Sequence, residues 1–408
     1  MTPLANIVMA SGGVICPIRV TGCDTIKNRG LSNPSIIKHN GKTLISFRSC
    51  DYTFFAVDKP MLSHQALLWY PTERPPYYTS FNSRNIICEL DGDFQTHNPK
   101  PFLTVRGKGK FNGYEDIRLS SYNGVLYASA SFPTDHGIPI RLCKLNDKYE
   151  IESYYEYGNK NAVEKNWMPV LDRKGEFMYL APNVVIKVEQ TKVEYIKNEK
   201  CDDTFRGSSQ LVPYTLDGKE GYVCVIHRSY INPYKNSDKY TILDYLHKFL
   251  FFDKNYKFTH DSDWFKFVGM PVEFTCGMMI DGNDVILPFS VMDSYPFVFK
   301  FSTSILDNLL LRKDTHCAGK RDISPYLGDL RRKVCEYIMD EDSDNYAAKI
   351  AVSTYLATIA KTKEEAINMY RYAMEILRDF DSAQGNRFTH TVLFQDQAIE
   401  QIRILKGM

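Results

Sequence analysis

The stretch Gly113-Tyr114-Glu115-Asp116-Ile117-Arg118-Leu119 sets two carboxylates beside a guanidinium, directly ahead of the alternating run Gly124–Ala130. Such residues on a rigid strand suit acid–base work, in which one carboxyl keeps its proton near neutrality through desolvation or a like charge nearby. Glu115 and an enclosing channel would supply both to Asp116. A surface ion pair at a strand start is the plain structural alternative. Chemically similar clusters recur at Asn33-Pro34-Ser35, Glu164-Lys165-Asn166-Trp167, Arg206-Gly207-Ser208-Ser209-Gln210 and Glu273-Phe274-Thr275-Cys276-Gly277. From them Asn33, Glu115, Arg118, Trp167, Ser208 and Glu273 are expected to contact substrate. For Arg118 a structural ion pair is the competing role.

A phosphate buried without fixed cationic donors is very costly. The candidates to hold one are Arg48, Lys165, Asn166, His227, Arg228 and Lys248, although a single Lys or Arg is ordinarily a solvated surface charge. No Gly-rich phosphate loop accompanies them. Trp167, Tyr114, Tyr230 and Phe274 would either stack on sugar rings or fill gaps between sheets, with gap filling expected for Phe274. His64, His97 and His136 lack ligand spacing, so no metal and no cofactor is expected.

The elements that must position these residues come from a fivefold recurrence. Asn40-Gly41, Asn123-Gly124, Lys174-Gly175, Asp217-Gly218 and Asp281-Gly282 each precede an alternating strand, and turns of this kind tolerate positive φ. A second apolar strand follows each one: Gln65–Tyr70, Ile140–Leu145, Val184–Val188, Lys248–Phe252 and Phe297–Phe301. Five turn-strand-strand units predict a five-bladed β-propeller over residues 1–315, with a β-sandwich as the competing arrangement. Equivalent blade positions face one axial mouth, so the five clusters would converge there. From residue 316 to 408 the apolar spacing turns helical, over Ser324–Met339, Asn345–Ala360, Lys363–Phe380 and Thr391–Lys406, and Thr362 with Glu365 resembles a capping box. That C-terminal α-helical region would serve homo-oligomerisation, substrate capping or stability alone.

Composition narrows the function class. With 50 basic and 49 acidic residues among 408, the chain has a formal charge of +1, which gives no overall field for nucleic acid or an anionic membrane. Its 27 Tyr and 24 Phe suit strands and sugar-stacking surfaces alike. The ten cysteines form no Cys-x-x-Cys pair, as expected of reduced thiols in a cytoplasmic protein. The first residues read poorly as a secretory signal, and no apolar run is long enough for a membrane span.

Gly-x-Glu-Asp-x-Arg at 113–118, Lys-Asn-Trp at 165–167, Gly-Ser-Ser at 207–209 and Glu-Phe-x-x-Gly at 273–277 together resemble the β-mannoside phosphorylase family of five-bladed propellers and its mannosyltransferase relatives. The resemblance spans roughly residues 30 to 305. It implies inverting glycosyl transfer on a mannoside, with phosphate, a sugar phosphate or a nucleotide sugar as partner. Asp116 matches the family's catalytic acid, which protonates the departing oxygen through a hydroxyl of the transferred sugar while phosphate attacks the opposite face. Two positions depart from the family: Ile117 stands where Pro is common, and Ile226-His227-Arg228 replaces a Tyr-His-Gly pattern. Both loosen the link to phosphorolysis and to mannose, and leave room for a sugar-nucleotide transferase. Hydrolysis would need a second carboxylate about 6.5–9.5 Å away, for which Glu273 is the evident candidate. A non-catalytic propeller that binds glycan or protein is the alternative from another class.

Overall fold

The computed structural model describes residues 3–23, 30–50, 52–58, 65–71, 81–103, 111–134, 136–158, 163–180, 184–189, 192–197, 204–231, 243–312, 324–340, 345–384 and 389–407. Five antiparallel sheets form a β-propeller. Blade 1 runs Gly30–His39, Lys42–Cys50, Phe81–Leu90 and Thr96–Phe102; blade 2 runs Glu115–Tyr122, Val125–Ser131, Ile140–Leu145 and Ile151–Tyr157. Blade 3 has the short strands Met168–Pro169, Glu176–Tyr179, Val184–Glu189 and Lys192–Lys197. In blade 4, Arg206–Gly207 and Val212–Leu216 both pair with Lys219–Ile231, which is followed by Leu243–Asp253 and Phe258–Asp261.

Blade 5 contains Met279–Asp281, Asp284–Val291 and Tyr295–Ser302, and its outer strand is Val14–Pro17 from the start of the chain. This strand closes the ring by joining the two ends of the propeller. It was not apparent from the sequence, because four residues after a Gly-Gly pair give little periodicity.

The turns form as their residue types require. Asn40, Asn123 and Asp217 have φ of 48°, 49° and 48°, each followed by a glycine at positive φ. One expected strand is corrected. Gln65–Pro71 does not join blade 1 but pairs with Tyr52–Asp58 in a separate hairpin, while Phe81–Leu90 takes the place beside Lys42–Cys50. The alternation is the same in either sheet, so residue pattern alone does not choose the partner.

Helix α1 (Leu4–Ala10) buries Leu4, Ala5 and Val8, and α2 (Thr303–Leu310) follows the last strand with Ser302 as its N-cap. Four longer helices complete the chain: α3 (Ser324–Asp340), α4 (Tyr346–Thr358), α5 (Lys363–Gln384) and α6 (Thr389–Lys406). Residues 313–323, on which the expected domain boundary falls, lie outside the described residues. Val334, Cys335 and Ile338 of α3 and Ala351, Val352 and Tyr355 of α4 share one core with Phe267, Phe289 and Phe299 of the propeller. The remaining helical core, around Tyr370, Ile376, Leu377 and Ala398, joins α4 to α5 and α6. At the α5 start, Thr362 Oγ1 accepts from Glu365 N–H at 3.1 Å, while Glu365 reaches back one residue further, to Lys361 N–H at 2.8 Å. No described helix is long and apolar enough to cross a membrane.

Candidate active site

Asn33, Asp116 and Asn166 stand near the starts of the innermost strands of blades 1, 2 and 3, with φ of 51°, 54° and 65°. Asn and Asp are the residue types that enter the left-handed region most readily, so the backbone at these three positions accounts for part of their identity. In blade 1 the register shifts between Ser32 and Ser35, and in blade 2 between Ser129 and Ser131 opposite Glu115. Blade 4 carries a bulge as well, since the N–H groups of Ser208 and Ser209 both donate to Val225 C=O, at 3.2 and 3.1 Å. Bulges re-aim the residues they contain, and these bring the polar clusters of separate blades together. Gly113 is required beside them: at φ 98°, an added Cβ would lie 2.1 Å from Ser83 O.

Asn33 Nδ2 donates to Asp116 Oδ1 at 2.7 Å, and Arg48 Nη1 lies 3.9 Å from the same oxygen. Arg48 also donates to Glu115 Oε1 at 2.9 Å and to Ser83 Oγ at 2.8 Å, while Lys165 Nζ reaches Glu115 Oε2 at 3.3 Å. Glu115 is therefore bracketed by two cations. Burial works to raise the Asp116 carboxyl, but Arg48, then Lys165 and Arg118, with the Asn33 amide, outweigh it and hold the group below the ordinary carboxylate range. This corrects the expectation that Glu115 would keep Asp116 protonated. Its charge is already neutralised by Arg48 and Lys165, so Asp116 rests as an anion.

Arg118 makes no ion pair among the described residues. Its guanidinium donates to the carbonyls of Ser208 (2.7 Å), Asp116 (2.9 Å) and Gly207 (3.1 Å) and to Asn166 Oδ1 (3.3 Å), and so ties blade 2 to blades 3 and 4. Gln210 extends the same floor. Its amide donates to Leu119 O and Ile36 O and accepts from Met278 N–H, joining blades 1, 2, 4 and 5. The mouth is thus built on a fully buried polar layer that fixes its geometry.

Other expected site residues stand elsewhere. Trp167, only 1% exposed, packs among Tyr157, Phe177 and Tyr179 and donates to Glu164 Oε2 at 3.2 Å, so it is not open to stack on a sugar. Tyr114 is likewise buried, against Phe132 and Arg141. The Glu273 carboxylate accepts the backbone N–H groups of Phe267, Val268 and Met270 at 2.6–2.8 Å, which shapes a loop under α3 and leaves it unsuited as a second catalytic carboxylate. Lys248 pairs closely with Asp261 and lies over the Trp264 ring at 5.1 Å. Arg228 follows His227 in the strand and so faces the opposite side. The side chain of Tyr230, and His64, fall outside the described residues.

His227 is within the structure's polar floor: Nδ1 lies 2.8 Å from Ser208 Oγ, and the ring meets Phe274 edge-on at 4.8 Å. Burial, with Arg118 beside it, lowers its pKa to about 3, so it is a neutral imidazole and not an anion-binding cation.

Two residues at the mouth escaped the sequence reading. Tyr245, packed against His227 and Phe274, is held protonated by burial and by the Asp293 and Asp116 charges, so both carboxylates lie near it. Asp293 occupies the turn between two blade 5 strands at φ 47°. Alternation with His247 was the available signal for Tyr245, but it does not say which face meets the axis. Among the described residues no group of three or more His, Cys, Asp or Glu gathers as a metal site.

No protein-family model matches the sequence, and no curated protein does. Among solved structures, a β-1,2-mannobiose phosphorylase from Listeria innocua in complex with β-1,2-mannobiose aligns over 75% of this chain and 98% of its own, with 13% identity and a TM-score of 0.44. A GDP-Man-dependent mannosyltransferase from Leishmania mexicana covers 71% and 89% at 14% identity and a TM-score of 0.42. A mannose phosphorylase of the same organism, in complex with phosphate ion, covers 71% and 87% at 11% identity and a TM-score of 0.42. The likeness is one of fold, and the chemistry of this chain rests on its own residues.

Proposed function

We propose that this chain is an inverting glycosyl-transferring enzyme, acting on a mannoside-like sugar with a phosphate-bearing partner, and that Asp116 is its acid. The observation that carries the reading is an ionised, partly buried Asp116 flanked by two cations, Arg48 and Lys165, that are shared with Glu115. Charges so arranged suit an incoming anion. Phosphate that draws Arg48 and Lys165 toward itself removes the attraction that keeps Asp116 ionised, so the carboxyl takes up a proton as the partner binds.

Phosphate oxygen then forms the bond to the anomeric carbon from one face. The bond from that carbon to the departing oxygen breaks on the other, and the departing oxygen takes its proton from Asp116, directly or through a sugar hydroxyl. Asp116 is left as the anion in which it rests, and takes its next proton from solvent when the next phosphate binds. Asn33 Oδ1, buried without a donor among the described residues, suits a sugar hydroxyl. With a nucleotide sugar the same cations would hold the diphosphate.

The test is turnover. β-1,2-Mannobiose with phosphate, and GDP-mannose with mannose acceptors, are assayed with the wild-type chain and with Asp116→Asn. Loss of about 10²–10⁴-fold in the variant, with sugar binding kept, agrees with an acid role. Turnover unchanged by the substitution contradicts it. A second reading, a glycan-binding propeller, is favoured by the resting charge of Asp116. It is adopted if wild-type protein binds mannosides and turns over none of these substrates.

A further inference from the structure

The seams between blades are not equally filled. Among the described residues, the seam of blades 1 and 2 buries fourteen apolar side chains, and those of blades 3 with 4 and 5 with 1 bury twelve each. The seam of blades 2 and 3 has six: Ile140, Tyr157, Trp167, Phe177, Val184 and Ile186. Blade 3 opens with short strands. Its first two strands, Met168–Pro169 and Glu176–Tyr179, are two and four residues long and cannot reach as far along the wall of blade 2. What the core does not fill is an open groove of about 990 Å³, none of whose walls includes Asn33, Arg48, Asp116 or Lys165. That is the size of a ligand site.

The lining is chemically uneven. Five cations, Lys144, Arg173, Lys174, Lys187 and Lys192, face it against two carboxylates, Glu176 and Glu194, in a chain whose formal charge is +1. Lys187 pairs with Glu176 at 3.1 Å, and Lys144 with Glu152 at 2.9 Å. Lys174 and Lys192, both exposed, make no such pair among the described residues. Along the blade 2 wall Tyr155 is 40% exposed and stacks on Tyr157 with ring centroids 6.4 Å apart, and Tyr127 and the hydroxyls of Ser120, Ser121 and Ser153 continue that wall. An open tyrosine face with hydroxyls on one wall, and four of the five cations on the other, is a pairing of stacking surface with charge.

From this juxtaposition we infer that the groove between blades 2 and 3 is a second ligand site, for an acidic oligosaccharide. Sugar rings lie on the Tyr155 face and carboxylates of the chain meet Lys174 and Lys192. A neutral glycan would leave the cations unmatched, and an acidic peptide would not use the tyrosine wall. This inference is independent of any chemistry at Asp116.

The experiment is calorimetric titration of the full chain, at low and at 0.15 M ionic strength, with hexagalacturonate, mannohexaose and hexaglutamate. Hexagalacturonate is expected to bind one per chain, more weakly at the higher salt, and to be unaffected by Asp116→Asn. Lys174→Glu with Lys192→Glu is expected to weaken it tenfold or more, and Tyr155→Ala several-fold. These positions are exposed, and circular dichroism with thermal melting checks that each variant is folded. Absence of hexagalacturonate binding, binding that both sets of variants leave intact, or equal binding of mannohexaose or hexaglutamate would each overturn the proposal.

Discussion

Asp116 and Glu273 are carboxylates leading into the innermost strands of blades 2 and 5, and their surroundings give them opposite properties. Asp116 meets Arg48, Lys165 and the Asn33 amide, which together overcome burial and keep it ionised. Glu273 is fully enclosed, and burial lifts its carboxyl to about 7 even though three backbone N–H groups and Lys266 pull it down. One carboxylate is left poised by groups that a ligand can displace. The other is held by donors that belong to the fold. Position within a propeller blade therefore nominates a residue, and neighbours decide whether it does chemistry or architecture.

The largest separation of the two is expected from their removal. Asp116→Asn should lower kcat/KM by about 10²–10⁴-fold with the melting temperature nearly unchanged, as read by steady-state kinetics beside thermal melting. Glu273→Ala should do the reverse. Three buried N–H groups lose their acceptor, and a cost of about 3–5 kcal/mol is expected from chemical denaturation, with activity per folded molecule retained. Loss of activity without loss of stability in the Glu273 variant would break the contrast. Its pH dependence has a definite sign. A carboxyl raised in the folded state favours folding fully below the ordinary carboxylate range and loses that contribution as pH climbs through 7.

A smaller effect sharpens the electrostatic half. Lys165→Met removes one of the two cations on Glu115 and weakens the pull on Asp116. Affinity for phosphate should fall by about tenfold, and the alkaline limb of the pH–rate profile, where Asp116 loses the proton it must donate, should move to higher pH, both measurable in one set of initial rates.

The smallest concerns His247, whose two ring nitrogens have no hydrogen-bond partner among the described residues, and whose ring lies 4.3 Å from that of Phe267. Burial first, then His227 and Lys266, hold it well below the usual histidine value. A depressed histidine gives stability that is present above about pH 6.5 and drains away as pH falls, and His227 adds to the same slope down to about pH 3. His247→Phe is expected to raise stability by about 1 kcal/mol and to flatten the acid side of the stability curve.

Much of this was legible in the chain. Asn-Gly and Asp-Gly pairs forecast the turns because their φ values demand such residues, and Glu115-Asp116-x-Arg118 pointed to the polar cluster shared between blades because carboxylates and a guanidinium so placed must find partners. The hairpin Tyr52–Asp58 with Gln65–Pro71 was misassigned because period-two alternation names a strand and not its neighbour. Trp167 and Glu273 were read as site residues because their motifs are polar and aromatic, whereas burial depends on how blades meet. Tyr245 and Asp293 were missed for the converse reason. Tyr245 shares a strand with Lys248 but, like Asp293, stands in none of the motifs.

The central claim is that Asp116 is an acid whose protonation is set by cations a phosphate can engage. The most direct measurement is the carboxyl titration of Asp116 by carbon-13 NMR of labelled protein, assigned by difference with Asp116→Asn, without and with saturating phosphate. The expected result is a value below the ordinary carboxylate range in the free protein that rises when phosphate binds. An ordinary value in the free protein, or one that phosphate leaves where it was, would contradict the account.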